Sequence, residues 1–139
     1  MHAKKSFGQN FLYDENLVAK IVEAAGVNAG DLVLEVGPGR GILTRALLEA
    51  GAEVIAVELD NDLIPFLEEK FGDQIHLIHG DILENKTWAR ICKLIGRKTY
   101  KVVANIPYNI TSPIIEKLFR VEPQPEYLVL MVQKEVADR

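Results

Sequence analysis

Leu32-Val33-Leu34-Glu35-Val36-Gly37-Pro38-Gly39-Arg40-Gly41 is the stretch that decides the fold. Five residues rich in branched apolar side chains predict a strand, too apolar to be half-solvated, and three glycines in alternation predict a sharp turn. A helix is expected immediately after, over about 41–50, because Leu43, Ala46, Leu47 and Ala50 recur on one face before Gly51 stops it. Strand, glycine turn and helix in direct succession bring main-chain N–H groups to a helix N-terminus, where a ligand can approach the backbone closely.

The same alternation extends outward in both directions. Upstream, Asp14 can cap a helix carrying Leu17, Val18, Ile21, Val22 and Ala25, stopped by Gly26. Downstream, Val54 to Val57 predicts a second strand ending at Glu58. A helix is expected at 61–71, where Pro65 is tolerated near the first turn. Ile75 to Ile78 predicts a third strand, 86–96 a helix and Val102 to Ala104 a fourth strand. Thr111 then reads as a cap with Pro113 just inside a helix reaching Arg120, and Tyr127 to Val132 as a fifth strand. Apolar strands separated by helices indicate a parallel sheet covered on both faces, a doubly wound, Rossmann-like α/β domain. In such a domain ligands bind at the C-terminal ends of the strands.

Composition agrees with one globular domain. The chain has 139 residues, 48% hydrophobic and 26% charged, which excludes a disordered tail, a collagen-like repeat and a disulfide scaffold. A single cysteine, Cys92, cannot form an internal disulfide, so a reducing, cytoplasmic setting is expected. No apolar run reaches membrane-spanning length and no signal-peptide apolar region opens the chain, so no membrane partner is expected. The net charge of −4 is unevenly placed: residues 1–70 hold 6 basic and 12 acidic residues, residues 71–139 hold 10 and 8.

The chemistry is expected in the residue that follows each strand. Gly37, Gly39 and Gly41 follow the first in G-x-G-x-G spacing, which differs from the G-x-G-x-x-G of dinucleotide sites. Glu58 follows the second, where a carboxylate can accept both hydrogen bonds of a ribose diol; this identifies a nucleoside and leaves the cofactor open. Asp60 and Asp62 read as a helix cap and a first-turn acid. Gly80-Asp81-Ile82 follows the third strand, with Asp81 able to accept from an adenine amino group and Ile82 to pack on the ring.

Asn105-Ile106-Pro107-Tyr108 follows the fourth strand. Pro107 holds Ile106 out of the helical region. The Asn105 amide oxygen and a main-chain carbonyl can then converge as acceptors on an exocyclic amine. Accepting from both N–H groups favours a pyramidal nitrogen whose lone pair can attack an electrophilic methyl in line. Tyr108 offers a face on which a base can stack, and no charged general base is required.

With these residues in view, the sequence resembles the KsgA-type rRNA adenine N6,N6-dimethyltransferases and is similar to their macrolide-resistance (Erm) relatives. The resemblance runs along the whole chain, through Phe7-Gly8-Gln9-Asn10-Phe11-Leu12, the Glu35-to-Gly41 turn, Glu58, Gly80-Asp81, Asn105 to Ile110 and Gln133 to Arg139. It implies an S-adenosylmethionine-dependent methyltransferase with Asn10 and Leu12 over the methionine part of the cofactor and Gly37 against its backbone. Glu58 would lie on the ribose, Asp81 on the cofactor adenine and Asn105 near the transferring methyl. Asn105, the Ile106 carbonyl and Tyr108 would receive a flipped adenine of small-subunit rRNA or a pre-ribosomal subunit. Leu is common in the family at position 106 and Ser at 111; neither change alters these contacts.

The family's catalytic domain continues with a further hairpin and a helical RNA-binding domain. The chain is therefore expected to be the N-terminal, cofactor-binding part of that domain, weak or inactive on rRNA alone. Its fifth strand is expected to offer an edge for self-association. The alternatives are a non-catalytic S-adenosylmethionine- or RNA-binding module and a nicotinamide oxidoreductase, the latter disfavoured by the glycine spacing.

Other features have simpler readings. Lys86, Arg90, Lys93, Arg97, Lys98 and Lys101 occur with no acid between 86 and 101, which reads first as a solvated helix face and second as an RNA patch. Lys4 and Lys5 lie nearer the expected substrate mouth. His76 and His79 point to opposite faces of a strand and no metal site is expected. Cys92 and Trp88 are expected to pack.

Overall fold

A computed structural model describes residues 15–107 and 111–133. The elements follow in the order α1 (Glu15–Ala24), β1 (Leu32–Val36), α2 (Ile42–Glu49), β2 (Glu53–Glu58), α3 (Leu63–Phe71), β3 (His76–His79), α4 (Asn85–Ile95), β4 (Lys101–Pro107), α5 (Thr111–Arg120) and β5 (Leu128–Gln133). The strands form one sheet in the order β3-β2-β1-β4-β5, and every pairing is parallel. Strand order reverses at β1, which pairs with β2 on one side and β4 on the other. That boundary is the topological switch point, where a doubly wound sheet opens a crevice.

Alternate residues of each strand feed two separate cores. Leu34, Val36, Ile55, Val57, Val102 and Ala104 point to the face covered by α4 and α5, where Trp88, Ile91, Ile95, Ile114 and Leu118 meet them. Val33, Val54, Ala56, Val103 and Met131 point to the face covered by α1, α2 and α3, against Val18, Val22, Leu43, Leu47, Leu67 and Phe71. Burial on both faces explains why the strands read as continuous apolar runs. Trp88 packs as expected, its indole N–H donating to the Ile82 carbonyl at 2.7 Å. Half-buried Cys92 donates to the Glu122 carbonyl.

Local signals place most element ends within a residue or two. Gly26 ends α1, with its N–H on the Glu23 carbonyl and the Val27 N–H on that of Val22. Pro65 is the third residue of α3, where no intrahelical donor is lost. Thr111 differs from expectation: it is the first helical residue of α5, not a cap, so Pro113 is the third and still lies in the donor-free first turn. Asp62 sits at the N-cap of α3 but makes no side-chain cap bond. Asp60 instead turns the chain, Oδ1 accepting the Asp62 N–H at 2.9 Å.

At the N-terminal strand ends, Lys101 is 9% exposed and ties the sheet to α1. Its ammonium donates to Asp31 Oδ2 at 2.7 Å and to the Gly26 carbonyl at 2.8 Å. The Tyr127 hydroxyl donates to the Ala25 carbonyl beside it. Among the described residues no helix is long and apolar enough to cross a membrane.

Candidate active site

The opposite, C-terminal strand ends bring the expected residues together. β1 and β4 are in register at Val36 and Ala104, which sets Gly37 beside Asn105 across the switch point. Gly37 has φ of +76°, and a Cβ built there would lie 3.3 Å from the Asn105 carbonyl oxygen. No L side chain fits that conformation and that spacing without strain. Its N–H continues the ladder to the Val57 carbonyl at 2.9 Å. Gly41 is closed for a different reason: a Cβ there would lie 2.4 Å from the Phe71 ring, so the turn can pack on α3 only as glycine.

α2 starts directly at this turn. Gly41 is its N-cap and supplies no side-chain acceptor, so the first-turn N–H groups keep their donor capacity toward the strand ends.

Glu58 is 6% exposed and both its oxygens are held: Oε1 accepts the Gly39 N–H at 3.1 Å and Oε2 the Asp60 N–H at 2.9 Å. Burial raises its pKa above the ordinary carboxylate value, opposed by those two N–H groups. Each oxygen keeps a second lone pair for a ligand hydroxyl. The carboxylate therefore also fixes the glycine turn after β1 to the end of β2.

Asp81 follows β3, its Oδ1 accepting the Leu83 N–H at 2.9 Å. Ile82 is 6% exposed and packs in the α4–α5 core, so it backs the crevice more than it projects into it. Asn105 carries the most informative atom: its Oδ1 is buried and has no hydrogen-bond partner among the described residues. A buried amide oxygen left unpaired costs about 1–3 kcal/mol, so it marks a place shaped for a donor. The backbone of Ile106 and Pro107 completes β4 in register with Val132 and Gln133. Asn10, Leu12, Tyr108 and the side chains of Ile106 and Pro107 lie outside the described residues.

Glu35, just before the glycine turn, is a buried acid that ties β1 to α2. It is 1% exposed inside β1, and the Thr44 hydroxyl of α2 donates to Oε1 at 2.5 Å. Burial pushes its pKa up to about 7, with the nearby Glu58 charge adding to the rise. The signal available in the sequence was an acid inside an otherwise apolar strand. Glu58, Asp60 and Asp81 place carboxylates at the strand ends, which suits a cationic ligand with an amine donor. Among the described residues no group of His, Cys, Asp and Glu is placed to hold a metal ion. His76 instead pairs with Glu53 at 3.1 Å.

The sheet order and glycine turn define the class: a Rossmann-like, doubly wound α/β domain with a ligand crevice at its switch point. Two solved structures share the arrangement. A dimethyladenosine transferase from Plasmodium falciparum superposes with a TM-score of 0.67 at 35% identity, covering 89% of this chain and 43% of that one. The 23S rRNA methyltransferase ErmE gives 0.70 at 30% identity, covering 89% and 48%. The chain belongs to the ribosomal RNA adenine dimethylase family, whose model matches residues 1–139. A ribosomal RNA small subunit methyltransferase A from Synechococcus sp. is 49% identical over 99% of this chain and 52% of its own length. The chain thus spans about half the length of the curated relatives it matches.

Proposed function

We propose that the chain binds S-adenosylmethionine in the crevice at the ends of β1 to β4. In the whole protein this site would transfer methyl groups to N6 of adenines in small-subunit rRNA. The observation that carries the reading is the buried Oδ1 of Asn105, without a partner among the described residues, beside Gly37 at the switch point. The residues present fit the cofactor: Glu58 for the ribose diol, Asp81 for the adenine amine, and Gly37 and Gly39 for close backbone approach. Asn10 and Leu12 are proposed over the methionine end. S-adenosylmethionine, when bound, supplies an electrophilic methyl group.

The chain's own residues then orient the acceptor. Asn105 Oδ1 and the Ile106 carbonyl accept from the adenine amine and hold its lone pair in line, Pro107 stiffens that turn and Tyr108 stacks on the base. An adenine within a stem must leave its stack to reach them. A once-methylated amine keeps one N–H, so the same acceptors support a second transfer. The amine proton leaves to solvent after transfer, because the cationic product is strongly acidic.

The matched relatives extend about twice as far. We read this segment as the N-terminal, cofactor-binding part of the catalytic domain, with a terminal hairpin and a helical RNA-binding domain beyond it in the whole protein. By itself it is expected to be weak or inactive on rRNA and to self-associate through the β5 edge, which has no partner among the described residues other than β4. A cytoplasmic setting follows from its substrate. The test is methyl incorporation into small ribosomal subunits by the whole protein. Tyr108→Ala should depress transfer more than cofactor affinity and Glu58→Ala the reverse. Absence of rRNA methylation by the intact protein, with cofactor bound, overturns the enzyme reading in favour of a binding module.

A further inference from the structure

The outward face of α4 is unlike the rest of the molecule. Thr87, Trp88, Ile91 and Ile95 bury one side of this helix. Lys86, Arg90 and Lys93 stand opposite, exposed, within about 60° of arc at ~100° per residue. Arg97, also exposed, lies in the turn that follows the Gly96 C-cap. From Lys86 to Lys93 the stripe runs about 10 Å along the helix, starting at the end that follows the Asp81 loop. No acid occurs from 86 to 101, a segment holding six of the 16 basic residues, while the rest of the chain holds all 20 acids.

This arrangement works against the helix itself. Lys86–Arg90 are like-charge neighbours four residues apart on the helix and Arg90–Lys93 three apart, and Lys86 sits in the first turn, where the helix dipole disfavours a cation. Relief is slight: Lys86 lies 3.8 Å from Glu84 with both side chains exposed, and Arg90 reaches only the His79 carbonyl, at 3.4 Å. A helix face selected for solvation alone would mix signs and gain from i,i+4 pairs. A row of one sign gains only when a polyanion lies along it.

We propose that Lys86, Arg90, Lys93 and Arg97 form a contact surface for RNA backbone phosphates, leading along α4 to the crevice that receives the base. This rests on the rRNA reading above and adds a track for the strand that flanks the target adenine. Such contacts position RNA without reading its sequence.

The test is the salt dependence of binding between the chain and a labelled small-subunit rRNA hairpin, followed by fluorescence anisotropy. The variant carries Lys86→Gln, Arg90→Gln, Lys93→Gln and Arg97→Gln. Four lost phosphate contacts should reduce the slope of log affinity against log salt by about 3, at ~0.7–0.9 per contact, and weaken binding about tenfold or more near 0.1 M salt. S-adenosylmethionine affinity should stay unchanged. The melting temperature should hold or rise, since like-charge pairs are removed. A control neutralised at Lys20 and Lys98, off this face, should keep the original slope.

An unchanged slope in the four-fold variant, or an equal drop in the control, overturns the proposal while leaving the rRNA reading intact. Loss of binding to anionic phospholipid vesicles with RNA binding unchanged also overturns it, in favour of a membrane surface. Absence of RNA binding by the unsubstituted chain overturns the surface; absence of methylation by the whole protein is what overturns the rRNA reading.

Discussion

Gly37 and Asn105 meet across the switch point of the sheet, so close that a Cβ on Gly37 would stand 3.3 Å from the Asn105 carbonyl oxygen. They come from strands 68 residues apart that pair directly, in register at Val36 and Ala104. One supplies a bare backbone and the other a buried amide oxygen without a partner among the described residues. In the proposed function the cofactor and the acceptor amine meet between them.

Gly37→Ala should test that closeness. The added methyl must adopt φ near +76° and press on main chain that belongs to a paired strand. A loss of about 1–2 kcal/mol in stability is expected from urea denaturation, with S-adenosylmethionine affinity reduced about tenfold or more. Unchanged affinity in a folded variant would show that the cofactor does not approach here.

Glu35 predicts a pH dependence of stability. Its folded pKa is raised from 4.5 to about 7, so between those values the folded state binds more protons than the unfolded state. Stability therefore falls as pH rises through this window, by up to about 3 kcal/mol for the full shift. Glu58 is shifted in the same direction, so the comparison must be with Glu35→Gln, which keeps an acceptor for Thr44. Denaturation midpoints of the variant should change less from pH 5 to 7.5, and it should be the more stable protein at the upper end. Parallel curves would refute the assignment.

Asp31 gives the opposite sign at the other end of the sheet. Its hydrogen bond to Lys101 holds its pKa below the ordinary value, so its contribution is present above the unfolded pKa of about 3.8 and is lost as pH falls through the folded one. Asp31→Asn should cost about 1–3 kcal/mol at neutral pH, because Lys101 is left nearly buried with the Gly26 carbonyl. Its stability should decline less steeply in acid than that of the parent. Cofactor affinity should not change, which calorimetry can check against Gly37→Ala.

Much of this was legible in the chain. β1 could be read because Leu32 to Val36 is apolar throughout, and α4 because Trp88, Ile91 and Ile95 recur at helical spacing. Glu58, Asp81 and Asn105 could be read because a parallel sheet delivers each strand's last residue to one edge. Glu35 could not. Its raised pKa comes first from burial in a strand covered on both faces, with the Glu58 charge on the next strand adding to the rise and the Thr44 hydroxyl on the following helix opposing it. The Lys101–Asp31 pair joins residues 70 apart, and no local pattern announces it. Occupation of both Glu58 oxygens by main-chain N–H groups is likewise a consequence of how two turns meet.

The central claim is that the crevice between Gly37, Glu58, Asp81 and Asn105 is built for S-adenosylmethionine. Calorimetric titration of the chain with S-adenosylmethionine and, separately, with NADH tests it directly. S-adenosylmethionine should bind saturably, about tenfold or more weakly in Glu58→Ala through loss of the ribose contact, and NADH should show no comparable binding. Tight NADH binding with no S-adenosylmethionine binding would contradict it.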